Sequence, residues 1–251
     1  MVARTLANYA VVLAVLGGTW AAAAEPARSA VTAFSSATPG TTLPAPWRIA
    51  TLPNVKRATR YSLVTDDGAV VLRAQADASM ASVMHPLKLG PKDSAFIAWR
   101  WKVSNILSKS DLRSKAGDDF PARVYVFFDY DIGKLSMLQR AKLYMARSRY
   151  GNDAPAAALC YVWDGKAPVD TSVWSPYTDR VRVIVVESGE ANLNRWREVQ
   201  RDVAADFRAA FGEDPPAVSG VAVASDTDNT GESVTALFGD IHFSVHPQDA
   251  R

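Results

Sequence analysis

The sequence predicts an all-β fold, a jelly-roll-like β-sandwich of antiparallel strands with one or two short peripheral helices. Three observations lead there. Strand-length segments of alternating polarity recur from Trp47 to Phe243, turn residues separate them, and only two segments switch to a 3.6-residue period. Helices that do not alternate with strands argue against a doubly wound α/β fold. With 48% hydrophobic residues the chain can build a large apolar core. Cys160 is the only cysteine, which excludes an intrachain disulfide, and its neighbours Leu159 and Val162 mark it as a buried, inert thiol. A formal net charge of +2 gives no electrostatic reason to expect a nucleic acid partner.

In chain order, residues 1–24 read as a signal peptide: Arg4, an apolar run from Tyr9 to Leu16, and the small residues Ala21 to Ala24. Cleavage after Ala24 and a periplasmic or secreted location are expected. The alternative, a retained anchor, has an apolar core shorter than the roughly 20 residues of a spanning helix. Residues 25–45 read as a flexible lead-in, 46–245 as a single β-sandwich domain, and 246–251 as a frayed tail. Tyr61–Val64 and Ala69–Ala74 flank Asp66-Asp67-Gly68, a hairpin of the Asp-Gly type. Further strands are expected at Ser82–Leu87, Phe96–Val103, Arg123–Asp129, Ala157–Trp163, Arg180–Glu187, Trp196–Asp202, Val218–Ala224 and Ala236–Phe243. Asp202 reads as the cap of a short helix carrying Val203, Phe207 and Phe211, stopped by Gly212 and Pro215-Pro216. A second helix is expected between Gly133 and Gly151, where Met137, Leu138, Ala141, Tyr144 and Met145 form one stripe.

The candidate site comes from two strands. In Phe96–Val103, Trp99, Trp101 and Val103 fall on one face, read as core, and Arg100 and Lys102 on the other. From Arg123 on, Val124, Val126 and Phe128 form an apolar face, while Arg123, Tyr125, Phe127 and Asp129 share the opposite one. The long polar segment Ser104–Phe120 joins the two strands and is expected to be an ordered loop. If the strands are antiparallel neighbours, Arg100, Lys102, Arg123, Tyr125 and Asp129 lie together as a ligand-binding face, with Asp118 and Asp119 as its rim. Among the aromatics, Tyr125, Trp163 and Trp174 are candidates for stacking on a sugar ring.

Several chemistries lack their motifs. The chain has no glycine-rich phosphate loop, no Gly-x-Ser-x-Gly, no His-Glu-x-x-His and no cysteine pair. Carboxylates do cluster. Asp226-Thr227-Asp228-Asn229-Thr230-Gly231-Glu232 begins like a calcium loop, with Asp226, Asp228, Thr230 and Glu232 as ligand candidates, but its twelfth position is Leu237, which excludes an EF-hand. An ordinary turn stabilised by its own Asp and Asn side chains is the simpler reading; Ca2+ is the one cofactor the loop suggests, and none is required. Asp119 or Asp129 with Asp228 would be the acid pair of a carbohydrate-active enzyme. The segment 134–149 carries Lys134, Arg140, Lys142, Arg147 and Arg149 with no acidic residue. It is either a helix packed on the sheet edge with solvated cations, a lid over the binding face, or an element resting on an anionic membrane surface.

Five blocks together resemble the bacterial family known as domain of unknown function 3047: Trp99 to Val103, Lys115 to Val126, Pro176 to Arg182, Glu187 to Gly189 and Asp226 to Glu232. The likeness spans about Trp47 to Phe243 and implies a secreted protein, with no catalytic residue carried over. Phe238 to Phe243 also resembles the last strand of jelly-roll, galactose-binding-like modules. The leading expectation is a noncatalytic periplasmic module that binds a glycan or another polar small molecule. The alternatives are a carboxylate-dependent carbohydrate-active enzyme and an envelope assembly or membrane-surface factor acting through the basic helix.

Overall fold

Period-two alternation with one apolar face per strand builds two sheets that share a core. The computed structural model describes residues 30–53, 55–150 and 154–247; the expected signal peptide and most of the expected frayed tail lie outside them. The twelve strands are β1 (Arg48–Ala50), β2 (Arg60–Asp66), β3 (Ala69–Asp77), β4 (Ser82–Leu89), β5 (Phe96–Val103), β6 (Ala122–Phe128), β7 (Ala158–Asp164), β8 (Ser172–Ser175), β9 (Thr178–Ser188), β10 (Arg197–Asp202), β11 (Val218–Ala224) and β12 (Ser233–Ser244). Among the described residues two α-helices accompany them, α1 (Met137–Tyr150) and α2 (Val203–Phe211). One sheet has the order β1-β4-β11-β6-β7-β9-β8, the other β10-β5-β12-β3-β2. The jelly-roll-like sandwich is therefore present, with one departure from antiparallel pairing: β7 and β9 run parallel.

The core lies between the sheets. Trp99, Trp101 and Val103 of β5 meet Val124, Val126 and Phe128 of β6, with Tyr161 and Trp163 of β7 beside them. Trp101 and Trp163 are wholly buried, their ring centroids 6.1 Å apart. Helix α2 begins where the Asp202 carboxylate accepts from the Ala205 amide at 2.8 Å and ends at Gly212, whose φ of 75° suits a residue without Cβ. It packs Phe207 against Phe128, with centroids 4.5 Å apart. The β2–β3 hairpin turns on Asp67 and Gly68, both at positive φ, as a two-residue turn of the Asp-Gly type requires.

Several expectations are corrected. Residues 30–45 are no loose lead-in: Val31 and Phe34 are buried in the core, and Phe34 stacks on Trp47 at 4.7 Å. The mixed Ala, Ser and Thr composition hid two anchoring side chains. Strands β5 and β6 are not neighbours, because they belong to opposite sheets. Alternation tells which side chains point inward but not which sheet a strand joins, and the segment 104–121 is long enough to cross between them. In α1 the predicted stripe points outward: Met137, Leu138, Tyr144 and Met145 are exposed, while Leu143 packs with Leu135 and Ala156.

The crossing segment is ordered, as expected. Leu112 and Phe120 bury themselves on the outer face of the seven-stranded sheet against Cys160, Val162, Val183 and Val185. Gly117 makes this path possible, since a Cβ there would come within 2.6 Å of the Asp111 amide nitrogen. Gly117→Ala is accordingly expected to destabilise the fold by about 1–3 kcal/mol through overpacking. Chemical denaturation checks this, and an unchanged midpoint would show that the loop yields freely.

Candidate functional site

The outward-facing side chains of β6 lie under the crossing segment, and Arg123 is the one that organises them. It is only 4% exposed. Such a charge needs partners in fixed geometry, because its desolvation is costly. The Asp226 carboxylate, at the end of β11, accepts from Nε at 2.8 Å and also from Nη2. Asp118 contributes its backbone oxygen to Nη2 and a carboxylate oxygen 3.3 Å from Nη1. The Phe120 ring packs 4.4 Å from the guanidinium carbon. The Asp226 carboxylate also accepts from the Phe120 amide at 3.1 Å, so it ties the crossing segment to β6.

Asp119 has the complementary task. Wholly buried, it accepts from the amides of Asn229 and Thr230 at 3.0 and 2.6 Å and from the Asn229 side-chain amide at 2.9 Å. The turn 226–231 is thus held by one carboxylate on the neighbouring loop. Its exposed members, Asp228 and Asn229, are presented to solvent.

Asp119, Asp226 and Asp228 bring carboxylate oxygens within 4.8 Å of one another. The expected calcium set does not converge in this way. Glu232 turns aside to accept from the amides of Ser108 and Lys109, and Thr230 is buried beneath the turn. In the trio that does converge, N–H donors already engage Asp119 and Asp226, which leaves few lone pairs for a hard cation.

Electrostatics follow from burial. Burial pushes the Asp226 carboxyl up to about 7 against the opposing pull of Arg123. Asp118 is raised by burial with the same opposition, and Asp228 by burial and the nearby Asp119. Because its folded pKa lies above the unfolded one, Asp226 contributes stability that is full below the unfolded carboxylate range and is lost as pH rises through about 7. A carboxyl-carbon NMR titration of Asp226 should find its midpoint near 7; a midpoint near the ordinary ~3.9 would contradict this picture.

Beside this network lies a cleft of 420 Å³ on the outer face of the seven-stranded sheet. Its floor includes Tyr125 and Phe127, two residues apart on β6, whose rings lie nearly parallel with centroids 5.7 Å apart. Met84 and Val181 continue the apolar floor, and Leu52 and Val55 form a wall. The polar end is made by Asp118, Asp228 and Asn229 together with Tyr177. The Tyr177 hydroxyl donates to the Lys115 carbonyl at 3.2 Å.

The expected binding residues are divided between places. Asp118, Asp119, Arg123 and Tyr125 come together around the cleft. Arg100 and Lys102 lie on the outer face of the opposite sheet, where Trp196 covers both and Lys102 pairs with Asp66 at 2.5 Å. There Gly239 leaves room for Arg100, whose Cγ would lie 2.6 Å from any added Cβ. Asp129 is exposed beyond the end of β6, beside a separate 260 Å³ hollow, so it makes no acid pair with Asp228. Of the aromatic candidates, Trp163 is core and Trp174 packs edge-on against Phe211. Only Tyr125 reaches the cleft. Cys160 is buried, and its thiol is pushed up to about 12. Sequence reasoning did not assign Met84, Tyr177 or Asn229; Pro176-Tyr177 lies in a short turn between β8 and β9, and nothing in its residues says which face it caps.

Comparison with known proteins adds a family and a set of similar folds. The family described as "Protein of unknown function (DUF3047)" matches residues 45–242. No curated protein matches. Among solved structures, a family 12 xyloglucanase from Bacillus licheniformis is similar at 8% identity and TM-score 0.45, covering 87% of this chain and 100% of its own. The carbohydrate recognition domain of Emp47p is similar at 11% identity and TM-score 0.38, covering 85% and 93%. The Endo-D glycoside hydrolase domain from Streptococcus pneumoniae R6 gives 10% identity and TM-score 0.34 over 80% of this chain, which spans only 22% of that protein.

Proposed function

The chain belongs to the DUF3047 family, and from that premise we propose that it is a noncatalytic module binding a glycan or a similar polyhydroxylated small molecule in the cleft of the seven-stranded sheet. One observation supports this above the rest: the nearly parallel rings of Tyr125 and Phe127 line the same cleft as Asp118, Asp228 and Asn229. A pyranose has apolar C–H faces that stack on rings and hydroxyls at its edge that donate to carboxylates and amide oxygens. A 420 Å³ cleft is of ligand size. Export through residues 1–24 belongs to the same reading; amino-terminal sequencing of the mature protein should begin at Glu25.

Screening soluble oligosaccharides by thermal shift tests it. A ligand that raises the melting temperature is expected, with the shift lost in Phe127→Ala and retained in Arg100→Ala on the opposite sheet. Binding that survives Phe127→Ala unchanged would refute the cleft assignment. Added Ca2+ is expected to leave the melting temperature unaltered.

A second reading, catalysis, has one observation in its favour. Asp226, with its pKa raised to about 7, lies within 4.8 Å of Asp228, near the roughly 5 Å carboxyl separation of retaining glycosidases. Yet both Asp226 oxygens accept from Arg123, so the acid is poorly placed to give up a proton. No reducing ends should appear when the bound oligosaccharide is incubated with the protein; their release, abolished by Asp228→Asn, would favour the enzyme.

A further inference from the structure

We propose that helix α1 is an interfacial element that docks the protein on an anionic lipid surface. At about 100° per residue, Met137, Leu138, Ala141, Tyr144 and Met145 fall within an arc of about 120°. Leu143 lies on the other side of the helix and is 5% exposed, held by Leu135 and Ala156. The five-residue arc therefore points straight away from the body. Met137 is 87% exposed, Met145 71%, Leu138 67% and Tyr144 57%. Four large apolar side chains held side by side in water are unusual for a surface helix, which normally turns such a stripe inward.

The occupant follows from the charges beside the stripe. Lys142 lies on one flank, and Arg140 and Arg147 on the other; from Lys134 to Arg149 the sequence has five basic residues and no acidic one. Arg140 and Arg147 are fixed by donating Nε–H to the carbonyls of Leu135 and Ala154 at 3.0 and 3.2 Å. Their guanidiniums are thereby held at the helix flank. Apolar side chains in the centre with cations along both edges match the boundary between acyl chains and anionic headgroups. The helix is also anchored at its start: Ser136 and Gln139 cap it reciprocally, at 3.2 and 3.1 Å. No helix among the described residues is long and apolar enough to cross a membrane, so α1 would lie in the surface plane.

Co-sedimentation with unilamellar vesicles tests this. The protein should sediment with phosphatidylcholine–phosphatidylglycerol vesicles and not with pure phosphatidylcholine, and added salt should weaken the binding. The double variant Leu138→Glu/Met145→Glu should lower the partition at least about tenfold. Its melting curve should stay unchanged, since both side chains are exposed. Residues 1–29 are the same in both proteins, so any contribution from them cancels in the comparison. Absence of a phosphatidylglycerol requirement, or equal sedimentation of the double variant, would overturn the proposal. A lipid-free dimer that the same two substitutions dissolve would overturn it too, assigning the stripe to a second copy of the chain.

Discussion

Replacing Arg123 with leucine is expected to destabilise the protein by about 3–5 kcal/mol, because it strips a buried ion pair of its cation. The variant keeps the aliphatic bulk but leaves Asp226, 5% exposed, and Asp118, 8% exposed, without their partner. Both carboxylates line the cleft only at their edges, so rehydrating them fully requires the Phe120 segment to shift. For a chain of this size the loss corresponds to a fall of roughly 6–20 °C in melting temperature. The double variant Arg123→Leu/Asp226→Leu should recover a good part of it, because removing both members of a buried pair costs far less than orphaning one. A fall of less than about 1 kcal/mol in the single variant, the size of a surface ion pair, would mean that water reaches the pair freely.

The second large effect is expected at Asp119, which does not line the cleft yet holds its rim. Asp119→Ala removes the acceptor of three N–H groups, two of them backbone amides at 3.0 and 2.6 Å. Each buried donor left unpaired costs about 1–3 kcal/mol. Amide exchange in 226–231 should accelerate strongly while β3 and β12 stay protected. Oligosaccharide affinity should fall with it, because Asp228 and Asn229 lose their fixed positions. Unchanged exchange in that turn would show that its own Asx-type bonds suffice.

How far the molecule can be read from its sequence depends on what alternation encodes. Trp99, Trp101, Val124, Val126 and Phe128 were legible as core because each sits two residues from the next on a clear strand. The hairpin at Asp67-Gly68 and the α2 caps at Asp202 and Gly212 were legible because a local backbone conformation demands those residues. Sheet membership was not, since nothing local to β5 says that β10 and β12 flank it while β6 lies in the other sheet. That is why alternation alone places Arg100 and Lys102 with Arg123. Strands β1 and β8, of three and four residues, are too short to show a period.

The α1 stripe illustrates the converse limit. A period of 3.6 identifies an apolar face but not what covers it, and here the packed position is Leu143. In the candidate site, Asp118, Asp119 and Asp226 were visible as charged residues beside a strand. The union of Asp118 and Asp226 around one guanidinium needed the 103-residue separation between Arg123 and Asp226 to be closed by the fold, and Asp119 meets its partners Asn229 and Thr230 by the same closure.

The proposed ligand site lies on the outer face of the seven-stranded sheet, over Tyr125 and Phe127. Amide and aromatic chemical-shift mapping during titration with an oligosaccharide identified by thermal shift tests it most directly. Shifts concentrated at Tyr125, Phe127, Tyr177 and Asn229, with Arg100, Trp196 and Glu198 of the other sheet unmoved, are the predicted result. Shifts centred on Arg100 and Trp196 instead, or saturable binding that leaves Tyr125 and Phe127 unperturbed, would contradict it.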